Sequence, residues 1–184
     1  MDDPTAEQAI AATRAWIEKA VIGLNLCPFA KPVYVKDQIR YAVSGARTPD
    51  ELLDDLVRAL RNLAEAPAEA VDTTLLIHPH VLGDFLDYND FLEVADAAVD
   101  ELDLTGVLQV ASFHPRYQFA GTAPDDVTNC TNRSPYPTLH ILREASVDAA
   151  VAAFPDTKAI YRRNIETMRR LGAAGWAALR IEPD

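Results

Sequence analysis

The chain alternates between amphipathic helical segments and short runs of β-forming residues, and this alternation limits the folds open to it. Helices are predicted where capping residues precede apolar stripes: after Thr5, after Thr48, from about Asp84, after Ser146 and from about Asp156. Strands are predicted at residues 38–43, 73–78, 107–113 and 138–143. We therefore expect a single domain over residues 1–184, of α+β or α/β class, with a mixed sheet of about four strands covered by about five helices.

Local signals fix several helix ends. Thr5 with Gln8, and Thr48 with Glu51, have the spacing of capping boxes, in which side chains bind the free N–H groups of the first turn. Gly23 and Pro28 are expected to end the first helix, and Gly172 is expected to end the last one.

The charge and the chain start bear on location and partners. The 28 acidic and 17 basic residues give a net charge of −11, which disfavours nucleic acid and anionic membranes as partners. The first residues are acidic where a secretory peptide would be basic, and no apolar run approaches the length of a membrane span. With two cysteines and no CxxC pair, a cytoplasmic location with reduced thiols is predicted.

Residues 113–143 carry an unusual density of polar and aromatic side chains. Prolines and turn-forming residues recur too often there for one regular element, and loops of this length inside a domain are usually functional or disordered. The aromatic content and the flanking apolar strands favour a functional loop.

The strand order gives this loop a position. If the third helix joins strands 73–78 and 107–113, the two strands should be parallel neighbours with their carboxyl ends at one sheet edge. His78, His80 and His114 lie at those ends, where open α/β sheets bind ligands.

The first functional hypothesis is a small enzyme acting on an anionic metabolite. His114 would serve as acid or base, oriented by Asp125 or Asp126. The substrate would be held by further polar residues of the segment, which are Arg116, Tyr117, Asn129, Asn132, Arg133 and Arg143. The alternative for the asparagines and aspartates is that they shape turns through their own backbone hydrogen bonds, and the alternative for the arginines is that they tie carboxylates to the loop.

Two variants of this chemistry use other ligands or nucleophiles. His78, His80 and His114 could bind a divalent metal, although no HExxH or CxxC spacing supports this. Cys27 could act as a nucleophile beside His114, and the polar context of Cys130 could make it reactive; a small buried hydrophobe is the structural alternative for Cys27. His140, which alternates with Leu139 and Ile141, is interpreted as a hydrogen-bonded histidine at the core edge.

The absence of several well-known motifs disfavours some classes of enzyme. The sequence has no Walker loop, no GxGxxG after a strand and no GxSxG elbow, which disfavours P-loop, dinucleotide-binding and α/β-hydrolase chemistry. The alternative to an enzyme is a noncatalytic binding or assembly module, in which the long loop is structural or forms the interface of a homo-oligomer.

Four segments together resemble a known family. They are GLNLCPFA at residues 23–30, DFLDYNDFL at 84–92, ASFHPRYQFAG at 111–121 and TNRSPYPTLHILRE at 131–144. The chain resembles, over nearly its whole length, the bacterial family catalogued as domain of unknown function 1415. The resemblance implies a bacterial single-domain protein and supplies no catalytic residues.

Overall fold

A four-stranded mixed sheet lies between two layers of helices. The structure, a computed structural model, describes residues 3–154 and 156–181. The strands are β1 (Ile39–Val43), β2 (Thr73–Ile77), β3 (Leu108–Phe113) and β4 (Thr138–Arg143), in the spatial order β1-β2-β4-β3. The predicted strands and the predicted α+β class are confirmed.

Four of the described helices begin at the capping residues that the sequence predicted; the helix expected after Ser146 begins at Glu144 instead and has no side-chain cap. They are α1 (Ala6–Trp16), α2 (Ala30–Val35), α3 (Pro49–Glu65), α4 (Phe85–Glu101), α5 (Glu144–Ala153) and α6 (Thr157–Ala178). Thr5 and Thr48 both form complete capping boxes, and Asp84 accepts from the N–H of Leu86 at the start of α4. Side-chain oxygens thus satisfy backbone N–H donors at the start of α1, α3 and α4.

The first helix has an unusual end. It continues from α1 as a π-helix over Ile17–Ile22 and stops at Gly23. A Cβ at position 23 would lie 2.3 Å from the carbonyl oxygen of Lys19, so this close turn requires glycine. The glycine that opens the GLNLCPFA segment is therefore explained by backbone packing.

Other helical segments depart from the sequence predictions. The short helix α2 was not predicted, because Pro28 and Pro32 flank its start. Gly172 does interrupt α6, with φ 68° and ψ 172°, but the chain resumes helical geometry to Ala178. The prediction that the last helix ends at Gly172 was therefore wrong: glycine here kinks the element without ending it.

The strand pairing corrects one expectation. Strand β1 pairs with β2 in parallel, whereas β4 is antiparallel to both β2 and β3. Strands β2 and β3 therefore run in the same direction, as expected, but they are not neighbours, because β4 lies between them. The chain leaves β3 at the carboxyl edge and returns through residues 114–137 to fill the gap.

Each face of the sheet has its own core. On one face, α3 and α4 pack through a cluster that includes Leu52, Leu56, Leu60, Leu63, Tyr88 and Phe91, and that meets Leu76, Leu139 and Ile141 of the sheet. On the other face, α1 and α6 contribute to a cluster that includes Trp16, Leu26, Leu75, Ile77, Cys130, Met168 and Trp176. We call these the α3/α4 face and the α1/α6 face.

Helix α6, at 22 residues, is long, but neither it nor any other described helix combines the length and apolarity that crossing a membrane requires.

Truncating Leu60 tests the α3/α4 core. Leu60 is fully buried, so Leu60→Ala removes apolar contacts and leaves a cavity. We expect the free energy of unfolding in urea to fall by about 3–5 kcal/mol. The matched control is Leu86→Ala, since Leu86 is 70% exposed and should change stability by less than about 0.5 kcal/mol. Equal effects of the two substitutions would contradict the packing described here.

Candidate functional site

Two of the three edge histidines meet at one tyrosine. His78 follows β2 and His114 follows β3, and both are almost completely buried. Their rings lie 5.7 Å and 5.0 Å from the ring of Tyr88, which α4 contributes. The structure therefore brings His78 and His114 to the predicted sheet edge, on the α3/α4 face.

Tyr88 also joins the strand ends there. Its hydroxyl donates to the carbonyl of Thr138 at 2.9 Å and accepts from the N–H of Phe113 at 3.1 Å. Phe113 and Thr138 are partners in the β3–β4 register. The hydroxyl of Tyr88 thus bridges the N–H of Phe113 and the carbonyl of Thr138 at the end of the strand pair. Burial raises the pKa of this hydroxyl.

The ring nitrogens of His114 are already engaged. Nε2 lies 3.1 Å from the carbonyl of Leu82, to which it must donate, and Nδ1 accepts from the N–H of Arg116 at 3.0 Å. Burial lowers the pKa of His114 to about 4, so the ring is neutral at pH 7. His114 fixes the loop between β2 and α4, and its hydrogen bonds would have to break before it could act as an acid or base.

His78 differs from His114 in that only one of its two ring nitrogens has a hydrogen-bond partner. Its Nδ1 donates to the carbonyl of Val81 at 3.1 Å, whereas its Nε2 is buried without a hydrogen-bond partner. Burial lowers the pKa of His78 to about 4 as well. The whole residue is buried, and its ring stacks on that of Tyr88.

His80 lies apart from this pair. Its Nδ1 is 3.7 Å from a carboxylate oxygen of Asp3, near the protein surface. Across residues 3–154 and 156–181, no group of three or more His, Cys, Asp or Glu side chains is placed to hold a metal ion. The hypothesis of one metal site formed by His78, His80 and His114 therefore has no support in this geometry.

Several loop residues predicted to bind substrate instead bind the loop itself. The Asn129 amide accepts from Phe119 N–H and Thr122 Oγ1 and donates to the carbonyl of Ala123. Asp126 accepts from Thr128 and caps a 3₁₀-helix at Val127–Asn132. These bonds match the structural alternative that Asn and Asp commonly satisfy in turns.

The arginines of the segment have similar partners. Arg133 donates to the carbonyls of Tyr117 and Pro124, and Arg116 donates to that of Gly83. Arg143 binds three carbonyls at and beyond the carboxyl end of α3, those of Leu63, Ala66 and Val71. In each case the guanidinium holds backbone together.

The remaining predicted residues of this segment are dispersed. Asn132 donates to the carbonyl of Ser112 at 3.4 Å, and the Tyr117 ring packs between Phe85 and Phe119. Asp125 is exposed. Within the described chain, no hydrogen bond or ion pair joins His114 to Asp125 or Asp126, so the predicted acid–base pair is not assembled.

The two cysteines lie away from His114. Cys27 is half-buried, burial raises the pKa of its thiol, and the N–H groups of Phe29 and Ala30 face its sulfur. Its neighbour Leu26 packs on the α1/α6 face, whereas His114 packs on the opposite face. Cys130 is buried in the α1/α6 core with Arg133 Nη1 4.0 Å from its sulfur. A Cys27–His114 pair is not formed.

A different group of polar atoms lies on the α1/α6 face. In the described chain, seven buried side-chain N or O atoms lack a hydrogen-bond partner, and five of them belong to residues on the elements of this face: Trp16 Nε1, Tyr41 Oη, Arg163 Nε, Arg163 Nη2 and Asn164 Oδ1. Buried polar atoms in native proteins nearly always have partners. We call these four residues the unpartnered group.

His140 lies close to this group. In the strand register Tyr41 is opposite Leu75 and Leu75 is opposite His140, so all three side chains project from the same face. The His140 ring is 5.9 Å from that of Phe113, which in turn lies 5.0 Å from the Trp16 ring. His140 is thus connected to Trp16 and Tyr41 of the unpartnered group through aromatic and cross-strand neighbours.

His140 is also chemically available. The residue is half-buried, and burial lowers its pKa to about 4. No hydrogen bond to either ring nitrogen is found in the described chain, unlike the case of His114. The interpretation of His140 as a hydrogen-bonded histidine is therefore wrong.

Tyr41 contacts an arginine through its ring, and burial changes the pKa of its phenol. The Arg14 guanidinium lies over its ring, 4.3 Å from the ring centre. Burial raises the pKa of Tyr41 to about 12, so the phenol keeps its proton at pH 7. In the sequence, the alternation of apolar and polar residues over 138–143 indicated that His140 faces away from Leu139 and Ile141. No pattern distinguished Arg163 or Asn164 from the other polar residues of the last helix.

We expect acid to destabilise the protein through its buried histidines. In His78, His114 and His140 the folded-state pKa is below the unfolded value of about 6.5, so the unfolded chain binds more protons as pH falls from about 6.5 to 4. Stability should therefore be full above about pH 6.5 and fall below it, by on the order of 1–3 kcal/mol for each histidine. Urea unfolding at a series of pH values measures this.

His78→Gln should reduce the slope of stability against pH, because one titrating group is removed. His80→Gln, which changes a histidine outside the buried cluster, is the control. An unchanged slope in His78→Gln would contradict the assignment of a neutral buried imidazole.

Comparisons with known proteins give one result. A family described as "Protein of unknown function (DUF1415)" matches residues 8–178. Neither a curated protein nor a solved structure matches the chain. The match begins within α1, extends to the end of α6 and includes all four strands. The chain therefore belongs to the DUF1415 family.

Proposed function

We propose that the protein is a small enzyme that acts on an anionic metabolite, with its site on the α1/α6 face and with His140, not His114, as the acid or base. The observation that carries the proposal is the unpartnered group, which places five buried polar atoms without partners on that face. Each such atom costs about 1–3 kcal/mol of stability if nothing binds it. A bound ligand would supply the missing partners.

The polarity of these atoms favours an anionic ligand. Trp16 Nε1 and the two Arg163 nitrogens can only donate hydrogen bonds, and the Tyr41 phenol, which keeps its proton, can donate as well. A ligand rich in acceptor oxygens satisfies such a set. Asn164 Oδ1 is the one amide acceptor of the set, and the Nδ2 of the same residue donates to the carbonyl of Leu26.

His140 would take part in proton transfer. With a pKa of about 4 the imidazole is neutral at pH 7 and can accept a proton. An anion bound beside it would raise the pKa towards neutrality, because a nearby negative charge favours the imidazolium. Binding of the substrate would thus bring the histidine into the range in which acid–base catalysis is efficient.

The second candidate is a noncatalytic binding or assembly module, including a homo-oligomer. It is favoured by the 113–143 segment, whose arginines and asparagines mostly bind backbone carbonyls and N–H groups.

We also infer a bacterial cytoplasmic location, with which the free thiol of Cys27 is consistent. The net charge of −11 argues against nucleic acid as a partner. No metal ion is assigned a step in the proposed acid–base reaction.

A ligand screen by NMR tests the proposal. We expect at least one compound in a panel of small carboxylates and phosphate monoesters to move the indole N–H signal of Trp16 and to raise the pKa of His140. The indole signals are identified with Trp16→Phe. For a compound that is turned over, His140→Gln should lower kcat by about 10²–10⁴-fold while binding persists.

The matched control is His80→Gln, which should leave turnover unchanged. Ligands that move only the signals of His78 and His114 would contradict the proposal and place the site at the carboxyl edge. Full activity of His140→Gln would remove its acid–base assignment.

A further inference from the structure

We infer that two copies of the chain associate through the free edge of β1, so that their four-stranded sheets become one continuous sheet. Strand β1 is the first in the order β1-β2-β4-β3 and pairs on one side only, with β2. Its residues are half-buried throughout, whereas those of the central strand β2 are all buried. The inference does not rest on the proposed function, because both candidate functions allow two chains to associate.

The hydrogen bonds to β2 determine which backbone groups of β1 are free. The carbonyl of Gln38 accepts from the N–H of Thr73 at 3.3 Å, and the N–H of Ser44 donates to the carbonyl of Ile77 at 2.8 Å. Residues that bond to a neighbouring strand alternate with residues whose N–H and C=O groups point away from it. The even-numbered residues of β1 therefore face β2, and the outward residues are Ile39, Tyr41 and Val43.

The backbone groups of these three outward residues have no hydrogen-bond partner in the part of the chain that the structure describes. An edge strand in this condition is a template for another strand. Proteins commonly protect such edges with proline or with charged residues, and the one charged residue of β1 is Arg40. Its Nη1 donates to the carbonyl of Asn62 in α3 at 3.3 Å, so this guanidinium lies on the α3/α4 face and not along the edge.

The opposite edge of the sheet, that of β3, is partly covered by the chain itself. The carbonyl of Asn132 accepts from the N–H of His114 at 3.2 Å, and its Nδ2 donates to the carbonyl of Ser112 at 3.4 Å. At the start of β3, the N–H of Leu108 donates to the carbonyl of Leu104 at 2.9 Å. These even-numbered residues point outward, because the ladder with β4 uses the odd-numbered ones. The two edges of the sheet therefore differ, and β1 is the open one.

Antiparallel pairing of β1 with its own copy satisfies all of its outward groups. With Tyr41 opposite Tyr41 of the second copy, Ile39 lies opposite Val43, and each pair exchanges two hydrogen bonds. The same register brings two aromatic rings together and two β-branched side chains together, and such cross-strand pairs stabilise a sheet. A register shifted by two residues would place Arg40 opposite Arg40, which like-charge repulsion disfavours. The pattern of β1 thus fits a second copy of this chain in one register.

Sedimentation equilibrium measures the association. At about 0.5 M NaCl, which screens the repulsion between two chains of net charge −11, we expect a monomer–dimer equilibrium with a Kd on the order of 1–100 μM. Val43→Pro removes an outward N–H without breaking the ladder to β2, and it should raise Kd roughly tenfold or more. The matched control is Val110→Pro, which changes an outward valine of β3 and should leave Kd unchanged. A wild-type chain that is monomeric at about 1 mM, or an unchanged Kd in folded Val43→Pro, would overturn the inference.

A pair of cysteines tests the register and does not require that proline be tolerated. In the double variant Ile39→Cys/Val43→Cys, each introduced thiol lies opposite the other position of the second copy, at a Cα–Cα distance of about 5.5 Å that suits a disulfide. Within one chain the two positions are about 13 Å apart and cannot be bridged. We expect the oxidised double variant to be a covalent dimer on a non-reducing gel.

The matched controls are the two single variants, Ile39→Cys and Val43→Cys, which retain the natural Cys27 and Cys130. In the inferred register neither introduced thiol lies opposite its own copy, so both single variants should run as monomers. A covalent dimer of either single variant, or its absence in the oxidised double variant, would overturn the inference.

Discussion

The insertion of β4 between β2 and β3 is the constraint on which the rest of the structure depends. The connection through α4 leaves a gap one strand wide, and β4 fills it with antiparallel hydrogen bonds to both neighbours. Leu139 and Ile141 then project fully buried into the α3/α4 core, and His140 must project from the other face. A shift of one residue would exchange these faces, so the apolar packing of the two residues also fixes the position of the imidazole.

Much of the fold follows from local signals. Thr5 and Thr48 mark helix starts because their side chains satisfy N–H groups within the same turn, and such contacts are visible in the sequence. The position of β4 was not visible in the same way. Strand pairing depends on side chains that are distant in sequence, and the alternation in TLHILR is equally consistent with an edge or a central strand.

The site was harder to predict, for a physical reason. Asn129, Asp126 and Arg133 are residue types that bind substrates and backbone equally well, so their density in one segment does not tell which they bind. His114 was placed at the correct edge, but its hydrogen bonds to Leu82 and Arg116 could not be read from the sequence. The opposite property distinguishes Arg163: two of its buried nitrogens lack a partner among the described residues, and only the folded chain reveals this.

Tyr88 has a wider consequence for the edge where β3 and β4 end. Its hydroxyl takes the place of a direct hydrogen bond between Phe113 and Thr138, so a helix side chain acts as the last rung of the ladder between two strands. The two strands separate beyond that rung, and residues 114–137 leave the sheet there. Helix α4 and the strand ends are therefore coupled, because a displacement of the helix turn that carries Tyr88 would break both of these hydrogen bonds.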